Sequence, residues 1–353
     1  MDSVATSRSS LFRYPWMFGK EFDLFFFFIS YFLGLIFLQI TSPFLDSQNV
    51  ILLALIPTAF GLGPFHQGPT WFAYLDSQNQ AHWKTDFTRR AIFFLGPPVL
   101  FVLSIIGVFQ FRALLGMAWI VWSIQHLVQQ NVGILLLYHN YKNNEVVVAR
   151  GLEEKSQQIA AVFFTLVFLR RCLLNQAGYV VVDSFIWISA IIAGCLVMIY
   201  LRHTYNQMKR GKVLNVPGFV FWIFSIICLW PMAFIGKDFT VGFVAPLIWH
   251  WFQYIGLNWR LIKNKYIGER LHNLPIARPF FLFISTCCVF VVINLILGVL
   301  SKQPSADEGL FQKIAMALLF GLGFTHYFLD AFLWRFRESY QRQTILPYLK
   351  TAI

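Results

Sequence analysis

Residues 22–40 read FDLFFFFISYFLGLIFLQI, nineteen positions in which Asp23 is the single charged side chain. A run of about 20 apolar residues is the length that crosses a bilayer as a helix. It is too long for a signal-peptide core and lacks an Ala-x-Ala cleavage pattern, so it is expected to persist as a first transmembrane span. The rest of the chain repeats the pattern. Of 353 residues 58% are hydrophobic and 12% charged, and the mean hydropathy is +0.61, values outside the range of soluble domains. Further apolar runs lie near 50–75, 91–111, 114–138, 157–174, 179–201, 217–235, 240–258, 279–299 and 310–334. The expected fold is therefore all-α, a polytopic helical bundle of about ten spans. The fifth run is short and ends in Arg170-Arg171, and eight or nine is the alternative count.

The net charge of +12 is a topology signal. With ten spans, 22 of the 28 Lys and Arg fall in the N-terminal segment, the C-terminal segment and the loops after spans 2, 4, 6 and 8. That is the asymmetry of the positive-inside rule, and it predicts a multi-pass protein with both termini cytoplasmic. The expected organisation is a cytoplasmic segment 1–21, a transmembrane domain 22–335 and a cytoplasmic tail 336–353. Basic residues spread in this way meet anionic lipid headgroups and form no nucleic-acid patch. The five cysteines have no metal-finger spacing and read as packing residues. No phosphate loop, dinucleotide fingerprint, nucleophile elbow or zinc-protease helix occurs. The polar stretch 142–156 reads as a solvated connector.

The histidines carry the chemistry. His82 and His272 fall in loops expected to be solvated, and His139 and His203 end spans 4 and 6, where interfacial anchoring is the ordinary role. His66, His126, His250 and His326 lie inside spans 2, 4, 8 and 10, which all run in the same direction under the charge-derived topology. Each precedes the cytoplasmic end of its span by roughly eight to twelve residues, so at ~1.5 Å per residue they share one layer within about 6 Å of depth. A single intramembrane histidine is as readily a hydrogen-bonded helix bridge as a ligand. Four at one depth point to a common ligand.

Positions three and four residues on share a helical face. They supply Gln129 and Gln130 to His126, with Gly133 read as a point of close helix approach. They also supply Gln253 and Tyr254 to His250, and Asp330 to His326. These five are candidate orienting or substrate-contacting groups; Asp330 has Arg335 and Arg337 as competing partners. Pro64, Gly68 and Pro69 predict an irregular helix around His66, tolerated where backbone is buried or lines a cavity. Neutral imidazoles bind iron, copper, zinc and haem alike. A site inside the bilayer, in a chain with 40 phenylalanines, selects a hydrophobic substrate.

The motifs GPFHQGPTW, WSIQHLVQQ, LRHTYNQMK, PLIWHWFQYIG and THYFLDAFLWR follow one another in this order between His66 and Arg335. In that order the chain resembles the bacteriorhodopsin-related-protein family of membrane β-carotene dioxygenases. The resemblance implies a non-haem iron centre, with His66, His126 and His250 at three family positions and His326 in the terminal motif. Two departures are plain. No aspartate follows His66 where the family has one, and the later His-x-x-x-His pair is here His250 with Tyr254.

The expected function is a metal-dependent oxygenase or related oxidoreductase acting on an isoprenoid, carotenoid or lipid. Its ion would be Fe(II), held by His66, His126, His250 and His326. Its partners would be the substrate, O2, membrane lipids and an electron donor. The alternatives are a haem-binding electron carrier, a transporter with a histidine-lined site, and a structural membrane component.

Overall fold

The computed structural model describes residues 11–41, 62–139, 146–172, 179–235, 239–267, 278–301 and 309–349. Their regular structure is helical except for a two-residue parallel pair, Phe12–Arg13 with Leu214–Asn215, and an isolated bridge from Val146 to Val213. Seven helices among them are long and apolar enough to cross a membrane: Lys20–Ile40, Phe87–Gln110, Arg112–His139, Val180–Lys209, Val216–Phe234, Phe280–Ser301 and Leu310–Leu333.

The other three expected spans also carry helices, but none meets that length and hydropathy. Leu62–Phe72 represents span 2, whose first half, 50–61, lies outside the described residues. The helix Arg150–Cys172, at span 5, carries Glu153, Glu154, Lys155, Arg170 and Arg171, and its charges remove the hydropathy of a free-standing span. In Phe239–Ile262, at span 8, the residues His250, Gln253, Tyr254 and Asn258 make one face polar, and all four are buried. A helix whose polar face is covered by protein need not be apolar all round.

The described residues group into two compact units, one comprising 1–24 and 128–242, the other 25–127 and 243–353. In the second unit the helix Leu62–Phe72 packs on Arg278–Ser301 through Gly68. A Cβ placed there would stand 2.5 Å from the Cα of Cys287. The helix continues through Gly68 and Pro69, and the irregularity is confined to the hydrogen bond that Pro69, lacking an N–H, cannot donate to the Phe65 carbonyl. Gly68→Ala forces these two backbones apart. We expect a loss of about 1–3 kcal/mol, the usual cost of overpacking, read as a lower midpoint of thermal unfolding in detergent. In Leu310–Leu333 every residue from Gly321 to Tyr327 is buried, as are Leu329, Asp330 and Leu333, so the helix is enclosed all round where it carries His326.

The C-terminal helices Ser339–Thr344 and Leu346–Leu349 are tied to the same unit. Gln341 Nε2 donates to the Phe332 carbonyl (3.0 Å), Tyr340 donates to Asn79 Oδ1 (2.8 Å), and Asn264 Nδ2 donates to the Tyr348 carbonyl (2.6 Å). His82, expected to be solvated, stacks flat on Tyr340 with ring centres 3.6 Å apart. His272 lies outside the described residues.

Three expectations change in the first unit. His139 is no interfacial anchor: its Nε2 lies 3.0 Å from Oε2 of Glu153, and both side chains are buried. The stretch 142–156 is more than a connector, because Val147 donates to the Val213 carbonyl (3.0 Å) and Glu153 and Ser156 are buried; residues 142–145 lie outside the described residues. Gly133 does not mark a close approach, since a Cβ there would meet nothing within 4 Å among the described residues. Cys228 and Cys287 are buried packing residues, whereas Cys195 and Cys288 are exposed.

Candidate functional site

Four helical histidines converge within the second unit. His66, His126, His250 and His326 are 5%, 6%, 2% and 0% exposed, so bulk water does not reach them. Their rings form a closed circuit. Ring centres lie 4.7 Å apart for His66 and His326, 5.0 Å for His326 and His126, 4.9 Å for His126 and His250, and 5.2 Å for His250 and His66. Adjacent planes are steeply inclined, by 69° to 90°. One nitrogen each from His66, His250 and His326 lie within 4.8 Å of one another, as do ligand atoms of His126, His326 and Asp330.

One helical turn along lies a second layer. Thr70, Tyr254 and Asp330 each follow a histidine by four residues, and they bond to one another. Asp330 Oδ1 accepts from Thr70 Oγ1 (2.8 Å) and from the Tyr254 hydroxyl (2.8 Å), while Thr70 Oγ1 lies 3.0 Å from the Tyr254 oxygen and 2.7 Å from His326 Nδ1. Two matched layers require Leu62–Phe72, Phe239–Ile262 and Leu310–Leu333 to run in the same direction, because an i+4 residue lies about 6 Å further along its own helix.

The hydrogen-bond inventory then sets the tautomers. With Asp330 a carboxylate, the single Thr70 proton points to it, so Thr70 Oγ1 accepts from His326 Nδ1–H. His66 Nδ1 contacts the Gly63 carbonyl, which can only accept, so that nitrogen also carries the proton. Both rings therefore turn an unprotonated Nε2 to their free side. Nε2 of His66, His126 and His326 and Oδ2 of Asp330 are all buried without a hydrogen-bond partner among the described residues. Asp330 Oδ2 faces His126 Nε2 at 3.9 Å. Buried polar atoms of this kind are costly to leave unpaired.

The surroundings hold the rings in place. Tyr327 packs on His126 with ring centres 4.7 Å apart and bonds Ser123 through its hydroxyl (3.0 Å). Trp334 Nε1 approaches the Tyr254 oxygen at 3.4 Å. Gln253 is fully buried in this unit. Gln129 and Gln130 belong to the other unit; Gln129 is exposed and Gln130 half-buried, so the helical face that buries His126 does not bury Gln129. Asp330 is not committed to arginine: Arg335 donates to the Ala331 carbonyl and Arg337 pairs with Glu338.

Thr70 is the site residue that sequence reading overlooked. The i+4 rule that singled out Tyr254 and Asp330 points from His66 to Thr70 as well, but the prolines and glycines around it led away from a regular helix. Trp334, Tyr327 and Ser123 carried no comparable signal. No family model, curated protein or solved structure matches the chain.

Proposed function

We propose that the protein is an integral membrane, metal-dependent oxygenase or related oxidoreductase acting on a hydrophobic isoprenoid, carotenoid or lipid substrate. His66, His126, His250 and His326 would hold one ion, and both termini would be cytoplasmic. The observation that carries this reading is the ring of four buried imidazoles. A flat square of side about 5 Å has its centre about 3.5 Å from each corner, and an ion ~2.1 Å from a ring nitrogen stands about 3.2 Å from the centre of that ring. The arrangement needs only a small contraction to share one ion. Because His326 has spent Nδ1 on Thr70, it has one nitrogen to offer, which favours a single ion over two.

Imidazoles are neutral ligands, so a dication among them keeps its full charge in a medium of low dielectric. Asp330 is the adjacent counter-charge. Four nitrogens and a nearby carboxylate suit Fe(II), which when bound would supply O2 chemistry at a position open to a hydrophobic substrate. The residues themselves orient and hold protons. Thr70 and Tyr254 fix Asp330 Oδ1, and Oδ2 is left facing the ring of histidines, where it can take or return a proton.

A haem fits these residues less well. A porphyrin occupies the four equatorial positions of its iron, and two of the four imidazoles stand where that macrocycle would lie. The test is metal analysis of the purified protein beside its visible spectrum. About one iron per chain without a Soret band is the expected result; a Soret band would replace this reading by the haem carrier, and a metal-free chain would leave the four histidines structural.

A further inference from the structure

From the histidine ring a pair of redox-active side chains leads outward in the same unit. Tyr254 packs edge-on to His326 with ring centres 5.4 Å apart, and Trp334 packs against Tyr254 at 5.9 Å. The indole Nε1 of Trp334 points at the Tyr254 oxygen. Tyr254 is buried, whereas Trp334 is half-exposed and caps the end of Leu310–Leu333, immediately before Arg335. The Tyr254 hydroxyl already donates to Asp330 Oδ1 at 2.8 Å, so a carboxylate base stands on the proton that a tyrosine must lose when it is oxidised. Ring contact carries an electron and the hydrogen bond carries a proton; both are present at one residue.

We propose that Tyr254 and Trp334 form a one-electron relay between the histidine-held metal and the protein surface, an inference that rests on the metal reading above. When O2 or hydrogen peroxide has oxidised the site and no organic substrate consumes the oxidising equivalent, the site takes one electron from Tyr254, whose phenolic proton moves to Asp330 Oδ1. The Tyr254 radical then takes an electron from Trp334 and recovers its proton from Asp330. Trp334 is left one electron short at the surface, where a one-electron reductant such as ascorbate restores it. Run in that direction the relay protects the site; it is also the path by which an external donor would supply electrons.

The test uses the full chain in detergent with iron bound, treated with hydrogen peroxide alone and freeze-quenched for electron paramagnetic resonance. Protein carrying ring-deuterated tryptophan or tyrosine assigns the signals. Wild-type protein is expected to show a tryptophan radical that ascorbate removes. Trp334→Phe should hold the radical on Tyr254 and lengthen its life severalfold, and Tyr254→Phe should lose both signals while keeping its iron. A fully loaded wild-type chain with no organic radical, or a Tyr254→Phe signal equal to wild type, overturns the relay alone. A chain that binds no metal overturns the site and the relay together.

Discussion

Purified protein carrying His126→Ala or His250→Ala is expected to hold about a tenth or less of the wild-type metal. Each substitution removes one of four nitrogens from a ring whose members lie 4.7 to 5.2 Å from their neighbours. Even a residue that only orients a ligand changes metal affinity by about 10–100-fold when removed, so loss of a ligand should exceed that range. His203→Ala, at a half-buried position in the other unit, serves as the control and should keep its metal. Tyr254→Phe should also keep most of the metal and still lose turnover, because the phenol is bonded to Asp330 and not to the ion's place. Full metal in both histidine variants would make the ring a structural feature and end the oxygenase reading. Metal loss without any change in cellular isoprenoids or lipids would retain the metal and remove the substrate class.

Asp76→Ala should destabilise the second unit by about 3–5 kcal/mol, the range for removing one partner of a buried ion pair. Asp76 Oδ2 holds Lys265 Nζ at 2.7 Å and also accepts from the Tyr266 hydroxyl, and the side chains of Asp76 and Lys265 are 5% and 8% exposed. The carboxylate caps the helix Ser77–Trp83 as well, accepting from the backbone of Gln78 and Asn79. Removing it strands a buried ammonium. The double variant Asp76→Ala/Lys265→Met, which leaves no stranded charge, should recover most of the loss, and chemical unfolding in detergent measures both. If Asp76→Ala unfolds like wild type, the pair contributes nothing.

The same pair predicts an acid limb. Burial alone would raise the Asp76 pKa, but attraction to Lys265 and hydrogen bonds from Lys265, Tyr266 and Gln78 outweigh it and hold the carboxyl below its ordinary value. A folded pKa below the unfolded one means that this stabilisation is complete above the ordinary carboxylate range. It is lost as pH falls through the lowered folded value. Wild-type protein should therefore lose more stability in acid than the double variant.

How much of this was legible in the chain differs by feature. Runs such as 22–40 and 310–334 announce membrane-length helices because burial in lipid demands apolar side chains all round. The runs 157–174 and 240–258 are helical too, but hydropathy does not show that Phe239–Ile262 buries a polar face or that Arg150–Cys172 buries Glu153 alone among its charges. Glu153 shows why: its buried partner His139 is fourteen residues away, across residues that give no sign of the pairing.

For the site, the sequence by itself determined which residue types were available and how they are spaced. His66, His126, His250 and His326 stand out because an ionisable group in an apolar helix is costly wherever it is not partnered. The i+4 positions of Tyr254 and Asp330 follow from helical pitch alone. Only the tertiary structure decided that the four rings close into one circuit, that Thr70 joins Tyr254 and Asp330 in the layer beside them, and that Gln129 turns outward. Depth along a helix is a property of the sequence, because rise per residue is constant. The rotation of one helix against another is set by packing between distant segments, as where Gly68 admits the backbone of Cys287, and that rotation determines which side chains meet.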